Sequence, residues 1–286
     1  MLTILAGLSS AFSYALSDLI SQRVTRRTRP LSQVAWVLIT GVVIILPVAL
    51  LVDGLPQGAE WRGAALAALG GVAYFGAFFC LLRGLQVGDL SLISALNSLM
   101  GAYATVAFVL LGAPVTPALG GALALCAFGA VLTSLEEWGR PDAADGRRGR
   151  ATRGAAWAFA SGVLFACVMV LYGNAGDISW LSQTAISRSV SLCIALPAAL
   201  LTGGLALPKG LRVEAAGAGA LELCGLVLLT NALALGPSTV ASVTSTQFGT
   251  FAVILGFVLL HERPRRHQWV GLACTIVGVS LLAALV

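Results

Sequence analysis

Three ionisable side chains stand where a charge is costly. Asp18, Arg188 and Glu222 each fall inside a run of apolar residues long enough to cross a bilayer as a helix. A charge near the bilayer centre costs roughly 2.5 to 3.5 kcal/mol even on the insertion scale, so each needs a reason to be there. Glu222, midway along its run, suits a proton-carrying carboxylate or an anchor for a cationic group. Arg188 suits an anion anchor, or the partner that keeps Glu222 ionised; sequence alone leaves open whether the two meet. Asp18 lies near the end of its run, where Gln22 and Arg23 are close enough to satisfy it without any role in binding.

A second constellation is polar and uncharged. Ser91, Ser94, Ser98, Gly101 and Thr105 recur at spacings of three and four, which places them on one helical stripe, with Asn97 beside it. The stripe returns 148 positions later as Thr239, Ser242, Thr246, Gly249 and Val253, flanked by Ser245 and Gln247. Two such faces suit the walls of a shared cavity near the membrane midplane. They suit ordinary helix contact equally well, because small and hydroxylated residues are the usual interface residues in lipid.

Other chemistries find no footing. The 6 cysteines are scattered through the apolar runs with no CxxC or Cys/His spacing, which speaks against disulfides and zinc and for small packing residues. No cofactor or metal site is expected. His261 and His267 flank a basic loop, where water or lipid head groups are the expected neighbours. No GxxxxGK[ST] loop supports ATP use, and neither HExxH nor a nucleophile elbow supports an embedded enzyme.

The elements that must position these residues follow from composition. With 58% hydrophobic and 10% charged residues, the chain is an all-α polytopic membrane protein. Ten apolar runs fit as spans, at 2 to 22, 31 to 52, 63 to 82, 90 to 111, 116 to 135, 153 to 172, 180 to 201, 213 to 233, 240 to 260 and 267 to 286. The first has no basic n-region and is long enough to span, so it reads as a helix and not as a secretory signal. The 33 glycines, many of them inside the runs, allow close helix approach.

The chain is internally repeated. Residues 31 to 55 recur as 181 to 205: LSQVAW matches LSQTAI and ILPVALLVDGL matches ALPAALLTGGL, with 12 identities in 25 positions that include Ser-Gln and a mid-helix proline. Internal symmetry of this kind marks transporter folds. It divides the chain into a first five-helix repeat at 1 to 135, a polar linker at 136 to 152 and a second repeat at 153 to 286. Pro47 and Pro197, matched in the two copies, predict a bend or hinge in each. The repeat is broken at the charged positions: Arg188 aligns with Leu38, and Glu222 aligns with Tyr74, which makes Tyr74 a candidate site residue as well.

Five spans per copy is an odd number, so the second copy enters from the opposite side and the repeats are inverted. Charge placement agrees. Of the 17 Lys and Arg, 15 fall in or beside the odd-numbered connections, and the even-numbered ones hold only Arg62. RVTRRTRP after the first span corresponds to NAGDISW after the sixth, and HERPRRH after the ninth corresponds to GAPVTP after the fourth. The positive-inside rule makes the odd connections cytoplasmic and places both termini outside. The basic loops read first as such topogenic signals and only weakly as lipid sites.

The segments GLQVGDLSLISALNSLMGAYATVAFVLLGAPVTPALGGALALCAFGAVL and LALGPSTVASVTSTQFGTFAVILGFVLLHERPRRHQWVGLACTIVGVSLL resemble the EamA-type domains of the drug/metabolite transporter superfamily. The sharpest piece is Leu260-His261-Glu262-Arg263 with Gln268 and Gly271, similar to the family's glycine-glutamate loop. His261 stands where glycine is usual, and Gly112-Ala113-Pro114 in the first copy has no glutamate. The resemblance implies a ten-helix carrier of amino acids, metabolites or drugs, alternating access around a central cavity and often drawn with both termini cytoplasmic. The expected function is therefore secondary active export of a small organic solute, with protons as a coupling ion. The alternatives are an uptake carrier or facilitator of the same fold and, from another class, a membrane-embedded enzyme or structural membrane protein. Expected partners are the solute and the lipid bilayer, with no nucleic acid. A bacterial plasma membrane is the expected location, and a monomer suffices although a homodimer is open.

Overall fold

A computed structural model describes residues 1–286 except 59, 89, 99, 113–115, 135–144, 177, 203–204, 206, 261–265 and 286. The described residues form twelve helices and no strand: α1 (Leu2–Thr25), α2 (Pro30–Val52), α3 (Glu60–Val87), α4 (Leu90–Ser98), α5 (Met100–Leu110), α6 (Pro117–Ser134), α7 (Asp145–Gly173), α8 (Trp180–Leu201), α9 (Lys209–Leu235), α10 (Ser238–Ser245), α11 (Phe248–Leu260) and α12 (Arg266–Leu285). Helices are what such apolar runs must form, because lipid offers no partner to an unsatisfied backbone N–H or C=O. Six of them, α1, α2, α3, α8, α9 and Arg153–Gly173 within α7, are long and apolar enough to cross a membrane. The remaining predicted spans are covered by α4 with α5, by α6, by α10 with α11, and by α12.

Helix starts follow local chemistry. Pro30 opens α2, where its missing N–H costs nothing. Ser179 caps α8 by accepting from the Ser182 N–H at 3.1 Å. Two boundaries differ from the sequence reading. Helix α7 begins at Asp145 and not near 153, so Arg147, Arg148 and Arg150 are helical. Ala and Arg are strong helix formers, and an acidic residue is favourable at a helix N-terminus. The ninth predicted span is interrupted, with Thr246–Gln247 in a turn between α10 and α11. Beside that turn Thr244 Oγ1 donates to the carbonyls of Val240 and Ala241 at 2.8 and 3.3 Å. Such local bonding competes with regular helix. Pro47 and Pro197 lie inside α2 and α8 with exposed side chains, and both helices continue past them to Val52 and Leu201.

The packing repeats as the sequence does. Helix α1 packs on α9 as α7 packs on α3, and α2 packs on α9 as α8 packs on α3. Helices α2 and α8 pack on each other, as do α6 and α12. Hydrogen bonds repeat too. Ser10 Oγ donates to the Gly225 carbonyl at 2.7 Å, and Ser161 Oγ donates to the Ala77 carbonyl at 2.8 Å. Gln33 Nε2 donates to Ser21 Oγ at 3.1 Å, and Gln183 Nε2 donates to the Tyr172 carbonyl at 3.0 Å. The repeated Ser-Gln thus ties the second helix of each copy to the first. Gly71 and Gly219 are a matched close approach. A side chain at Gly71 would sit 2.5 Å from the Ser187 carbonyl oxygen, and one at Gly219 would sit 2.9 Å from Val37 Cα.

Helices α2 and α8 run antiparallel. The start of α2 meets the end of α8, where Arg29 Nη1 donates to the Thr202 carbonyl and Trp36 Nε1 donates to the Leu205 carbonyl at 3.2 Å. The start of α8 meets the end of α2, where Ser179 Oγ and Ser182 Oγ donate to Asp53 Oδ2. Charge is divided between the two ends of the bundle. Arg26 Nη2 donates to the Gly88 carbonyl at 3.0 Å and Gln86 Nε2 to the Thr28 carbonyl at 3.3 Å, so the connections after α1, α3 and α8 share one end.

Candidate functional site

The buried ionisable residues converge where the two halves meet. Arg188 of α8 donates through Nη2 to Glu222 Oε2 of α9 in a salt bridge that is almost wholly buried, at 0% and 2% side-chain exposure. The guanidinium carbon stands 4.8 Å from the centre of the Tyr74 ring, within reach of a cation–π attraction. Its other side faces Gly41 of α2, where a Cβ would lie 3.6 Å from Cδ, Nε and Nη1. Arg188 Nε and Nη1 and Glu222 Oε1 have no hydrogen-bond partner. Of the two roles open to Arg188, partner to Glu222 is the one the geometry realises.

Asp18 of α1 is buried, and its carboxylate accepts from Ser94 Oγ of α4 at 3.2 Å. Arg23, five residues further on, lies on another face of the helix and is exposed, whereas Gln22, one turn on, is buried on the Asp18 face. Ser94 therefore belongs to the site through Asp18. Asn97, one turn along the same face of α4, is buried with its Oδ1 unpartnered. Ser245, Thr246 and Gln247 are buried at and beside the turn that interrupts the ninth predicted span. The side chains of Ser98 and Ser242 lie outside the described residues.

Asp18, Tyr74, Asn97 and Glu222 line one cavity. Its other walls are Tyr14, Phe78, Leu81, Met100, Phe165, Val168, Met169, Leu226, Leu229 and Phe248. The lining is paired across the two copies. At a spacing of 148, Tyr74, Phe78, Leu81 and Met100 face Glu222, Leu226, Leu229 and Phe248; at 151, Tyr14 and Asp18 face Phe165 and Met169. The cavity thus straddles the pseudo-symmetry between the repeats, and each of its carboxylates has an uncharged residue as counterpart. Among the described residues, no Lys, Arg or His lines it.

Most of the apolar wall escaped the sequence reading. Tyr14 had a signal, since it lies four residues before Asp18 on one helical face. Phe165 and Phe248 had none, because an aromatic ring in an apolar run looks the same whether it faces a cavity, a neighbour or lipid. Among the described residues, no cysteine lines the cavity. Cys167, Cys193 and Cys224 are exposed on the bundle surface, where packing residues were expected.

The EamA-like transporter family model matches residues 1–135 and 152–284. The chain belongs to that family. The two matched segments are the two halves that the repeated hydrogen bonds relate, so this EamA-like protein carries the family's domain twice. A crystal structure of another protein is similar over 99% of this chain and 99% of its own, at 16% identity and a TM-score of 0.78; at that identity the likeness speaks for the fold. No curated protein matches the sequence. Family and apolar helices together make the EamA-like chain an integral membrane transporter of the drug/metabolite type.

Proposed function

We propose that the chain is a secondary active exporter of a small organic solute, which it carries by alternating access around the cavity between its two copies. The observation that carries this reading is the cavity itself: lined by residues of both repeats, apolar over most of its wall, and furnished with the buried, unpartnered atoms Tyr74 Oη, Asn97 Oδ1 and Glu222 Oε1. Buried polar groups are normally hydrogen-bonded, so three orphans on one cavity are groups waiting for a ligand. The antiparallel pairing of α2 with α8 supports ten spans in two inverted repeats. The end bearing Arg23, Arg27, Arg29 and Arg83 faces the cytoplasm of a plasma membrane, and both termini face outward. Entry of protons in exchange for solute supplies the driving force. One chain contains both halves, so a monomer suffices.

The test is transport by purified protein in proteoliposomes, with a panel of labelled small solutes and an imposed pH gradient. Accumulation against the solute gradient that collapses on adding a protonophore supports proton-driven export. Exchange down gradients only, indifferent to pH, would instead make the protein a facilitator.

A further inference from the structure

We propose that the solute is a protonated amine on an apolar or aromatic body, held in the cavity with Asp18 as its counter-charge. This rests on the transport reading of the same cavity. Charge is the first argument. Of the two carboxylates in the wall, Glu222 is already neutralised by Arg188, which stands behind the wall and is not part of the lining. Asp18 has only the Ser94 hydroxyl as a described partner, so the cavity is left with one uncompensated carboxylate.

Hydrogen-bonding capacity points the same way. The orphan atoms on the lining are Asn97 Oδ1 and Glu222 Oε1, both acceptors, and Tyr74 Oη, which can accept or donate. The donors left over from the salt bridge, Arg188 Nε and Nη1, lie near Gly41 of α2, and Arg188 is not among the lining residues. A ligand that fits must bring donors, and an ammonium brings three N–H and no acceptor. An anion would meet acceptors and a like charge in a space with few waters to screen either.

The remaining wall fits the rest of such a molecule. Tyr14, Tyr74, Phe165 and Phe248 surround the space with rings, and aromatic faces attract a cation while their bodies bury apolar surface. The polar groups come from α1, α4 and α9, while the surface contributed by α7 is wholly apolar: Phe165, Val168 and Met169. The cavity therefore has a charged side and an apolar side, as an amphipathic amine does.

A proton competes with the amine for the same carboxylate, so solute affinity falls as pH falls. The titratable or charged groups sharing that space are Tyr14 on the same helix, Tyr74 of α3, and Glu222 of α9 with Arg188 of α8 behind it. From α4, α10 and α11 the described side chains that face α1 are uncharged.

Binding to the full-length chain in detergent decides the matter, with 2-phenylethylammonium, phenylacetate and phenylalanine as probes. The amine binds saturably and phenylacetate does not. Asp18→Asn weakens amine binding by at least about tenfold, the loss expected for a hydrogen-bonded charge, and flattens its pH dependence, whereas Asp18→Glu retains both. Phenylacetate binding as tightly as the amine, an amine that fails to saturate, or an Asp18→Asn protein that binds normally overturns the assignment. The comparison of ligands on the wild-type chain stands even where a variant folds poorly. In proteoliposomes, exchange of phenylalanine without amine binding removes the amine assignment and leaves transport intact. Amine binding with no solute exchanged removes transport and leaves the ligand class.

Discussion

Replacing Arg188 by leucine, the residue that the first copy carries at Leu38, removes the only described partner of a buried glutamate. Breaking a buried ion pair from one side costs about 3 to 5 kcal/mol, because the surviving charge stays buried without compensation. The loss of the Tyr74 ring contact at 4.8 Å adds up to about 2 kcal/mol for a desolvated cation. The intact pair is itself imperfect, since Arg188 Nε, Arg188 Nη1 and Glu222 Oε1 are left unpartnered. Removing both charges therefore gives back a desolvation cost that the native protein already bears. The double variant Arg188→Leu/Glu222→Gln should be within about 1 kcal/mol of wild type, or more stable than it. Unfolding by sodium dodecyl sulfate in mixed micelles, run on both singles and the double, measures the coupling. An Arg188→Leu loss below about 1 kcal/mol, or losses that simply add in the double, would refute the claim that burial and mutual compensation govern this pair.

Gly71→Ala should destabilise by about 1 to 3 kcal/mol through overpacking, because the new Cβ meets the Ser187 carbonyl at 2.5 Å. Gly217→Ala, with nothing within 4 Å, should leave the melting temperature unchanged or slightly raised. Gln183→Leu removes the bond to the Tyr172 carbonyl and should cost about 0.6 to 1.7 kcal/mol, the range for hydrogen bonds between membrane helices, read in the same unfolding assay. In a cysteine-free background, a membrane-impermeant maleimide should label Gln57→Cys in intact cells and Arg27→Cys only after permeabilisation; the reverse pattern would invert the orientation.

The fold was legible where symmetry or composition spoke. The apolar runs set the helices, and Ser32-Gln33 against Ser182-Gln183 marked the duplication, which the structure explains as matched ties to the preceding helix. The charged site residues were legible because lipid makes any charge conspicuous. What could not be read was pairing. Whether Arg188 meets Glu222 stayed open in the sequence, and the structure pairs them; Asp18 looked satisfied by Gln22 and Arg23, yet it lines the cavity. Both depend on helix rotation, which an apolar run with little moment does not encode. The turn at Thr246–Gln247 was hidden for a related reason: a Ser/Thr-rich stretch keeps helical spacing whether or not its backbone stays helical.

The two ends of the α2–α8 pair are fastened by different chemistry. Asp53 accepts two hydroxyl hydrogen bonds at one end, while the Arg29 guanidinium donates to a main-chain carbonyl at the other. A molecule whose halves exchange conformations would rest equally often in each state if these clasps were identical. On the proposed alternating-access reading, unequal clasps bias the empty protein toward one side of the membrane, and each 1.4 kcal/mol between them skews that bias about tenfold. On that reading, trimming either clasp should shift which compartment the empty carrier faces, without touching the cavity.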